Sequence, residues 1–583
     1  MAVIDEAGAV TRRMGRAVPA WSRLVVWGLL LFLVWQVALP IAGVFVASLK
    51  DLRPLDDGFL TSPLVLGNFG EIIASGGLWR VTSTTFVFAF LSSTIALVVG
   101  SLLAFVTVRS DLPFGWLVAT LVLLQLTIPE LLVAISWTFL LGPELGLFNQ
   151  GWAALTGAEA PLFDIYSLGG MVLVESMILV PLIYLFAVPA FSALDGSLED
   201  AAAMSGAGHW GSMKSISIPL IAPALVATWI IAFMRAWEAF EVPWVLGLRD
   251  RIMTYATRIY WDTVTPPSDT GIISAYAVPM ILLAGLMVWA HRRVSSRGAR
   301  YAVISGKPAP LRRLRLTGLA RLAVGAVTLL VVTVGILLPF LMLVWLSLVP
   351  FYRPPSLEAL SAVSLGSWQR VFVAEGLGKA VMSSFVIGLG ASAALVTLSV
   401  LVGWFSIVSR TGGSGIARTL CFLPVALPNI VVGLAFLWIY MLIGVQTSQS
   451  YIVLILAYVT LFLPVVSQNV LTQFGQINGE LFEAPRLCGA RELRIMVQIA
   501  LPLLAPAVFA SVLFVLIWSF KELPASLLLS GSSTRPMAVF MFDLSRNGSV
   551  SVLAAIALIT VLILSVLLIL FRLLARRIGL RGF

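Results

Sequence analysis

Charged residues are scarce in this chain. Asp, Glu, Lys and Arg make up 11% of its 583 residues, whereas a soluble domain carries about 25%. Hydrophobic residues make up 60%, and the mean hydropathy is +1.03. These values exclude a soluble globular protein of this length and indicate a protein that lies in a bilayer.

Cysteine and histidine are also rare, with two residues of each. Cys421 and Cys488 are too few for a disulfide framework or a cysteine-rich metal site, and we expect no bound metal. The sequence also lacks the G-x-x-x-x-G-K-[ST] loop that cradles nucleotide phosphates. We therefore predict no catalytic residue, no cofactor bound by this chain and no enzyme activity of its own.

Long apolar runs, in contrast, are abundant. A spanning helix needs about 20 consecutive apolar residues. Twelve segments of the sequence satisfy this requirement: 22–48, 81–108, 115–142, 168–192, 216–247, 271–290, 318–349, 379–408, 416–443, 451–471, 499–519 and 550–571. The sequence therefore predicts an all-α polytopic membrane protein with about 12 transmembrane helices.

The net charge of +10 comes from basic residues that flank these segments. They lie before the first segment, after the last, and in residues 292–321, where nine Lys and Arg residues occur without an acid. By the positive-inside rule, all three regions face the cytoplasm. The pattern predicts cytoplasmic N- and C-termini and a lipid bilayer as the partner, with no nucleic acid.

The two halves of the chain repeat each other. When the numbering is shifted by 283, residues 206–227 match residues 489–510 at ten of 22 positions. We predict two six-helix domains, residues 1–295 and 318–583, joined by a basic cytoplasmic linker at 296–317. Both halves would enter the membrane in the same orientation, related by an axis along the membrane normal.

The strongest part of the repeat predicts two cytoplasmic loops, residues 197–219 and 480–502. Each is typical of a short helix, a glycine turn and a second short helix that continues into a span. An acid near the start of the first helix complements the helix dipole, and glycine permits the sharp turn. Pro485 fits the second loop if it lies in the first turn of the helix, where amides lack intrahelical partners.

These loops carry a resemblance to a known family. An acidic-Ala-Ala triplet, three residues, Gly-Ala and then Pro thirteen residues after the glycine resembles the EAA loop of MetI-like permeases, the binding-protein-dependent type of ABC importer. The matching residues are Asp200, Ala201, Ala202, Gly206, Ala207 and Pro219 in the first loop and Glu483, Ala484, Gly489, Ala490 and Pro502 in the second. Asp200 replaces the usual Glu, and Pro485 replaces the second Ala.

The resemblance implies two fused MetI-like permease domains in the bacterial cytoplasmic (inner) membrane. The loops of such permeases couple to two copies of a cytoplasmic ABC ATPase subunit, which bind ATP and Mg. A periplasmic or extracellular substrate-binding protein delivers the cargo. We therefore expect this chain to be the permease subunit of an importer.

The cargo is suggested by a narrower resemblance. Two fused domains and the FEVP cluster at residues 240–243 resemble the iron(III) importer branch, whose relatives handle thiamine, polyamines and phosphonates; iron(III) is favoured over these. The alternative is a secondary transporter driven by an ion gradient. Such a transporter would need buried ionisable residues, which are few here, and it would leave the paired loops unexplained.

Polar residues at span depth are candidates for the translocation path, because they are costly in lipid and tend to face the bundle interior. Glu130 and Asn429 each follow a proline in mid-span, where the alternative is a packing kink with the side chain bonded to a freed carbonyl. Glu238, Glu241 and Glu522 lie 22 to 25 residues into their spans, roughly 33–38 Å along a helix. We expect them near the outer surface, as acids at a wet interface or as a rim that receives a cation.

Overall fold

The helical architecture agrees with the prediction. The computed structural model describes residues 20–51, 62–194, 196–206, 208–298, 314–373, 376–409, 411–442 and 450–577. Within these ranges, ten helices are long and apolar enough to cross a membrane, and two further pairs of helices are bent at a short break. If each bent pair counts as one span, the total is twelve.

The first half contains eleven numbered helices. They are α1 (Ser22–Ser48), α2 (Gly67–Ala74), α3 (Gly77–Arg109), α4 (Gly115–Gln125), α5 (Glu130–Leu141), α6 (Leu147–Thr156), α7 (Leu168–Ser192), α8 (Gly196–Met204), α9 (Met213–Glu238), α10 (Tyr255–Val264) and α11 (Thr270–Gly298). Two shorter helical segments, His209–Ser212 and Pro243–Gly247, flank α9.

The second half repeats this order. Its helices are α12 (Gly318–Leu348), α13 (Gly366–Val373), α14 (Leu377–Val408), α15 (Ser414–Ala426), α16 (Asn429–Leu442), α17 (Tyr451–Gln476), α18 (Glu480–Leu487), α19 (Glu492–Ser519), α20 (Pro524–Leu529), α21 (Met537–Arg546) and α22 (Val550–Arg577). A short 3-10 segment, Ala359–Ala362, precedes α13.

The two bent pairs are the third span of each half. The α4–α5 pair bends by 108° and the α15–α16 pair by 110°. Each bend lies at the proline that the sequence places in mid-span, Pro129 or Pro428, because proline cannot donate a backbone hydrogen bond and clashes with the preceding turn. The broken backbone therefore needs polar partners from outside its own helix.

The two halves are interlocked through their first spans. The last part of α1 packs against α16 of the second half, and the last part of α12 packs against α5 of the first. Gln36, in the middle of α1, is buried and donates a hydrogen bond of 2.9 Å to the Thr460 hydroxyl on α17. Each half thus covers the bent pair of the other.

In each half, a helical elbow connects the fourth span to the fifth, as predicted. The first elbow is α8 and the chain up to Pro219; the second is α18 and the chain up to Pro502. Gly206 and Gly489 turn the chain with φ of +86° and +81°, values that favour glycine. A π-helical turn then precedes each proline, at Met213–Ser217 and Met496–Ala500.

One detail of the predicted elbows is wrong. Pro485 is the sixth residue of α18 and lies inside the helix, because that helix begins five residues earlier, at Glu480. In α8, Asp200 is the fifth residue and lies near the helix start as expected, one residue after Glu199, the acid of the first turn. Glu483 lies in the first turn of α18, as expected.

Candidate functional site

One polar cavity lies between the two halves. The far ends of α9 and α19 meet there with the starts of α5 and α16, and the space, including its opening to solvent, measures about 400 Å³. Its lining residues are Glu130, Arg235, Glu238, Ala239, Glu241, Asn429, Trp518, Lys521, Glu522, Leu523 and Pro524. The fold therefore brings all five predicted path residues to one place.

The cavity holds more negative than positive charge. Four lining residues are Glu and two are Arg or Lys, so the formal charge is 2 − 4 = −2 when all are ionised. Within the described part of the chain, no group of three or more His, Cys, Asp and Glu side chains has an arrangement that could hold a metal ion. The carboxylates of the cavity are instead arranged around basic side chains.

Arg235 is the centre of the ionic contacts. It lies in the last turn of α9, and its guanidinium pairs with the Glu238 carboxylate and lies 3.6 Å from Glu130. The same guanidinium lies over the ring of Trp518, with 5.0 Å from Cζ to the ring centroid. Because Trp518 belongs to the second half, this cation–π contact joins the two halves.

Lys521 and Glu238 join the bent pairs to the opposite half. The Lys521 Nζ donates a 2.8 Å hydrogen bond to the backbone carbonyl of Leu126, at the end of α4. Glu238 lines the cavity together with Asn429, the first residue of α16. A cation at a helix C-terminus and an anion at a helix N-terminus are both favoured by the helix dipole.

Glu238 and Lys521 belong to opposite halves and carry opposite charges. Glu238 is the last residue of α9, whereas Lys521 lies two residues beyond the end of α19. Each lies at the bent pair of the other half: Lys521 is bonded to the freed carbonyl of Leu126, and Glu238 lines the same cavity as Asn429. The path role of Glu130 and Asn429 and its packing-kink alternative both stay predictions.

The Glu522 side chain binds backbone amides at the start of α20. Its carboxylate accepts hydrogen bonds from the amides of Ala525 and Ser526, at 2.9 and 3.1 Å, and from the Ser526 hydroxyl at 2.6 Å. These bonds cap the start of α20. Glu522 is 2% exposed, and Glu241 is 8% exposed.

The structure brings Glu238, Glu241 and Glu522 together with Glu130 and Asn429, which lie at the breaks of the bent pairs. Glu238 is the last residue of α9, and Glu241 and Glu522 follow the ends of α9 and α19. Their expected position near the outer surface stays a prediction.

The sequence reasoning missed Arg235, Trp518 and Lys521. A signal was present, because basic residues are as costly as acids at span depth. Lys521 lies inside the FKELP cluster, and Arg235 precedes Glu238 by three residues. Including cations in the search for buried polar residues would have found both.

Each elbow presents an apolar stripe to solvent. Met204 and Leu487, at equivalent positions, are 92% and 82% exposed, and the equivalent pair Leu198 and Leu481 are 41% and 49% exposed. The residues that match the EAA pattern lie on the same helices and turns: Asp200, Ala201, Gly206, Glu483, Ala484 and Gly489 are exposed, and Ala202 and Ala490 are half-buried. Ala207 lies outside the described residues.

Comparison with known proteins gives a consistent result for both halves. The family described as "Binding-protein-dependent transport system inner membrane component" matches residues 96–299 and 395–580. A "Ferric transport system permease protein FbpB" of Actinobacillus pleuropneumoniae is 20% identical over 549 residues, which cover 93% of this chain and 77% of that protein.

Other relatives match about one half of the chain. "Spermidine/putrescine transport system permease protein PotC" of Haemophilus influenzae is 27% identical over 36% of this chain and 81% of its own length. "Putative 2-aminoethylphosphonate transport system permease protein PhnU" of Salmonella typhi is 27% identical over 40% of this chain and 81% of its own length.

The contact between Lys521 and Leu126 leads to a stability prediction. Lys521→Met removes the hydrogen bond to the Leu126 carbonyl and one of the two cations among the carboxylates. We therefore expect the free energy of unfolding to fall by about 1–3 kcal/mol. Lys521→Arg retains the charge and should lose less. Thermal unfolding of the purified chain in nanodiscs, followed by tryptophan fluorescence, measures the difference.

The matched control for this prediction is Lys379→Met, which removes an exposed lysine from the start of α14. It should leave the unfolding temperature unchanged. Equal stability of Lys521→Met and the parent chain would contradict a stabilising role for the contact.

Proposed function

Because the chain belongs to the family of binding-protein-dependent transport system inner membrane components, and is thus the multi-pass permease subunit of an ABC importer, we propose that cargo crosses between its halves through the cavity lined by Glu130, Glu238, Glu241, Asn429 and Glu522. Two cytoplasmic ATPase subunits, which bind ATP and Mg, drive the movement. A periplasmic or extracellular binding protein supplies the cargo.

The apolar stripes of the elbows carry the coupling proposal. Large apolar side chains that are as exposed as Met204 and Leu487 favour a surface that a partner covers. They recur at equivalent positions on two elbows, as a pair of identical ATPase subunits would require. The loop residues from Asp200 to Pro219 and from Glu483 to Pro502 then form two docking sites, one for each ATPase subunit.

Movement of an elbow would change the cavity directly. The segment His209–Ser212 and the π-helical turn after it continue into α9 without a break, and α9 ends in Arg235 and Glu238. In the second half, α19 leads to Trp518 and Lys521 in the same way. Bringing the elbows together would therefore shift the ionic contacts between halves and open the path alternately to each side.

The proposed cargo is iron(III), ahead of thiamine, a polyamine or a phosphonate. The similarity to a ferric permease extends over 93% of the chain, whereas the polyamine and phosphonate permeases match a single half. The formal charge of −2 in the cavity also suits a cation better than an anionic phosphonate. We also propose that the two permease domains are residues 1–295 and 318–583 and that both termini lie in the cytoplasm.

The docking role predicts a binding defect from single elbow substitutions. Leu487→Glu or Met204→Glu places a charge in the apolar contact, so we expect the affinity for the partner ATPase to fall by at least about tenfold. Binding of the ATPase to the chain in nanodiscs, measured by biolayer interferometry, gives the value. The native Cys488 provides a second readout, because it is exposed and docking should slow its reaction with a maleimide.

The control for docking is Leu357→Glu, since Leu357 is 89% exposed but lies before α13, far along the chain from either elbow. It should leave ATPase binding unchanged. Undiminished binding by both elbow variants would refute the docking role of the stripes.

The cargo assignment predicts a transport result. Cells that express the chain with its ATPase and binding protein should accumulate radioactive iron(III), and excess unlabelled thiamine, spermidine or 2-aminoethylphosphonate should not compete. No uptake of iron, together with uptake of one of these compounds in labelled form, would replace iron as the cargo and leave the coupling proposal standing.

A further inference from the structure

The first elbow is held to its domain by charge. Glu199 lies on the inward side of α8, and its carboxylate pairs with the guanidinium of Arg109 at the end of α3. The Ser217 hydroxyl donates a 2.6 Å hydrogen bond to the same carboxylate oxygen. Arg109 is 4% exposed and Glu199 15% exposed at their side chains, so the pair is shielded from solvent.

The second elbow has apolar residues at the same positions. Adding 283 to Glu199 and Ser217 gives Phe482 and Ala500, which are 3% and 0% exposed. The Phe482 ring packs edge-on against Trp404, with 5.8 Å between ring centroids. Trp404 lies in the last turns of α14, as Arg109 lies at the end of α3.

The charged pair that the second elbow does contain joins two parts of the elbow itself. Arg486 on α18 forms two 2.8 Å hydrogen bonds with Glu492 at the start of α19. Arg486 also lies over the Trp404 ring, with 5.9 Å from Cζ to the ring centroid, so the contact of this elbow with its domain is aromatic and cation–π, with no ion pair to the domain among the described residues. The two elbows therefore have the same backbone shape and different attachments.

The attachment of the first elbow also reaches the second half. The backbone carbonyl of Arg109 accepts a 2.7 Å hydrogen bond from the amide of Leu314, and the Asp111 carboxylate accepts one of 3.0 Å from the amide of Leu316. Leu314 and Leu316 lead directly into α12. Arg109 thus stands between the first elbow and the first span of the opposite half.

We propose that Arg109, Glu199 and Ser217 form an ionic anchor that belongs to the first elbow alone and positions it against α3 and the entry to α12. The second elbow depends on the packing of Phe482 and Arg486 against Trp404 instead. The geometry of the anchor is independent of the proposed coupling role, and only its functional meaning rests on that role. The anchor makes the two elbows non-equivalent: loss of the Glu199 charge releases the first and leaves the second in place.

The chain offers a matched pair of reporters for this anchor. Cys488 on the second elbow is exposed and Cys421 is buried. Ser205, the equivalent of Cys488 after subtraction of 283, is also exposed. Ser205→Cys in a Cys488→Ser background therefore reports the first elbow, and the native Cys488 reports the second.

The experiment measures maleimide labelling rates of the full chain in nanodiscs without ATPase. Glu199→Gln should raise the rate at position 205 by about fivefold, the factor that corresponds to about 1 kcal/mol, and leave the rate at Cys488 unchanged. Phe482→Leu should do the reverse. The double substitution R109E/E199R should return the labelling rate at position 205 to that of the Ser205→Cys parent, which loss of packing alone would not do.

The outcomes separate the anchor from the coupling role. An unchanged rate at position 205 in Glu199→Gln overturns the anchor, even if the ATPase docks normally. If Glu199→Gln raises both rates equally, Ser217→Ala decides: a selective rise at position 205 supports the anchor, and no rise refutes it. If the ATPase protects neither cysteine while Glu199→Gln still releases position 205, the anchor stands and the coupling role fails.

Discussion

The rest of the structure depends on one constraint: backbone that leaves a helix inside a bilayer must find hydrogen-bond partners within the protein. This chain breaks two spans, at Pro129 and Pro428, and places a charged residue of the opposite half at each break. Lys521 bonds the carbonyl of Leu126, and Glu238 lines the cavity together with Asn429. These contacts hold the two six-helix units together at the breaks.

The same contacts explain why the cavity is polar and charged. Leaving four carboxylates together in a buried place would be unfavourable, and Arg235 and Lys521 offset much of that repulsion. Glu522 is occupied by the start of α20, whereas Glu130 and Glu238 share a single arginine. A cationic cargo that entered here would compete with Arg235 for the same carboxylates, so passage would be linked to rearrangement of the ionic contacts.

The repeat and its local chemistry were readable from the sequence. Glycine at 206 and 489 and proline at 129 and 428 act through the backbone alone, so their consequences follow from residue type and spacing. Long-range placement was not readable. The partner of the Leu126 carbonyl is 395 residues away, and the grouping of Glu241 with Glu130 and Asn429 depends on how the two halves pack. Pro485 was misplaced because the helix start was set too late: α18 begins at Glu480, whose amide donates a hydrogen bond to the Asn478 side chain.

Under the proposed coupling, the two elbows move together when the ATPase subunits close. The distance between the elbows tests this movement most directly. Spin labels at Cys488 and at Ser205→Cys report that distance by electron double resonance, since buried Cys421 stays unlabelled. With the ATPase and binding protein present, a non-hydrolysable ATP analogue should shift the distance distribution to shorter values. The same distribution with and without the nucleotide would contradict the account.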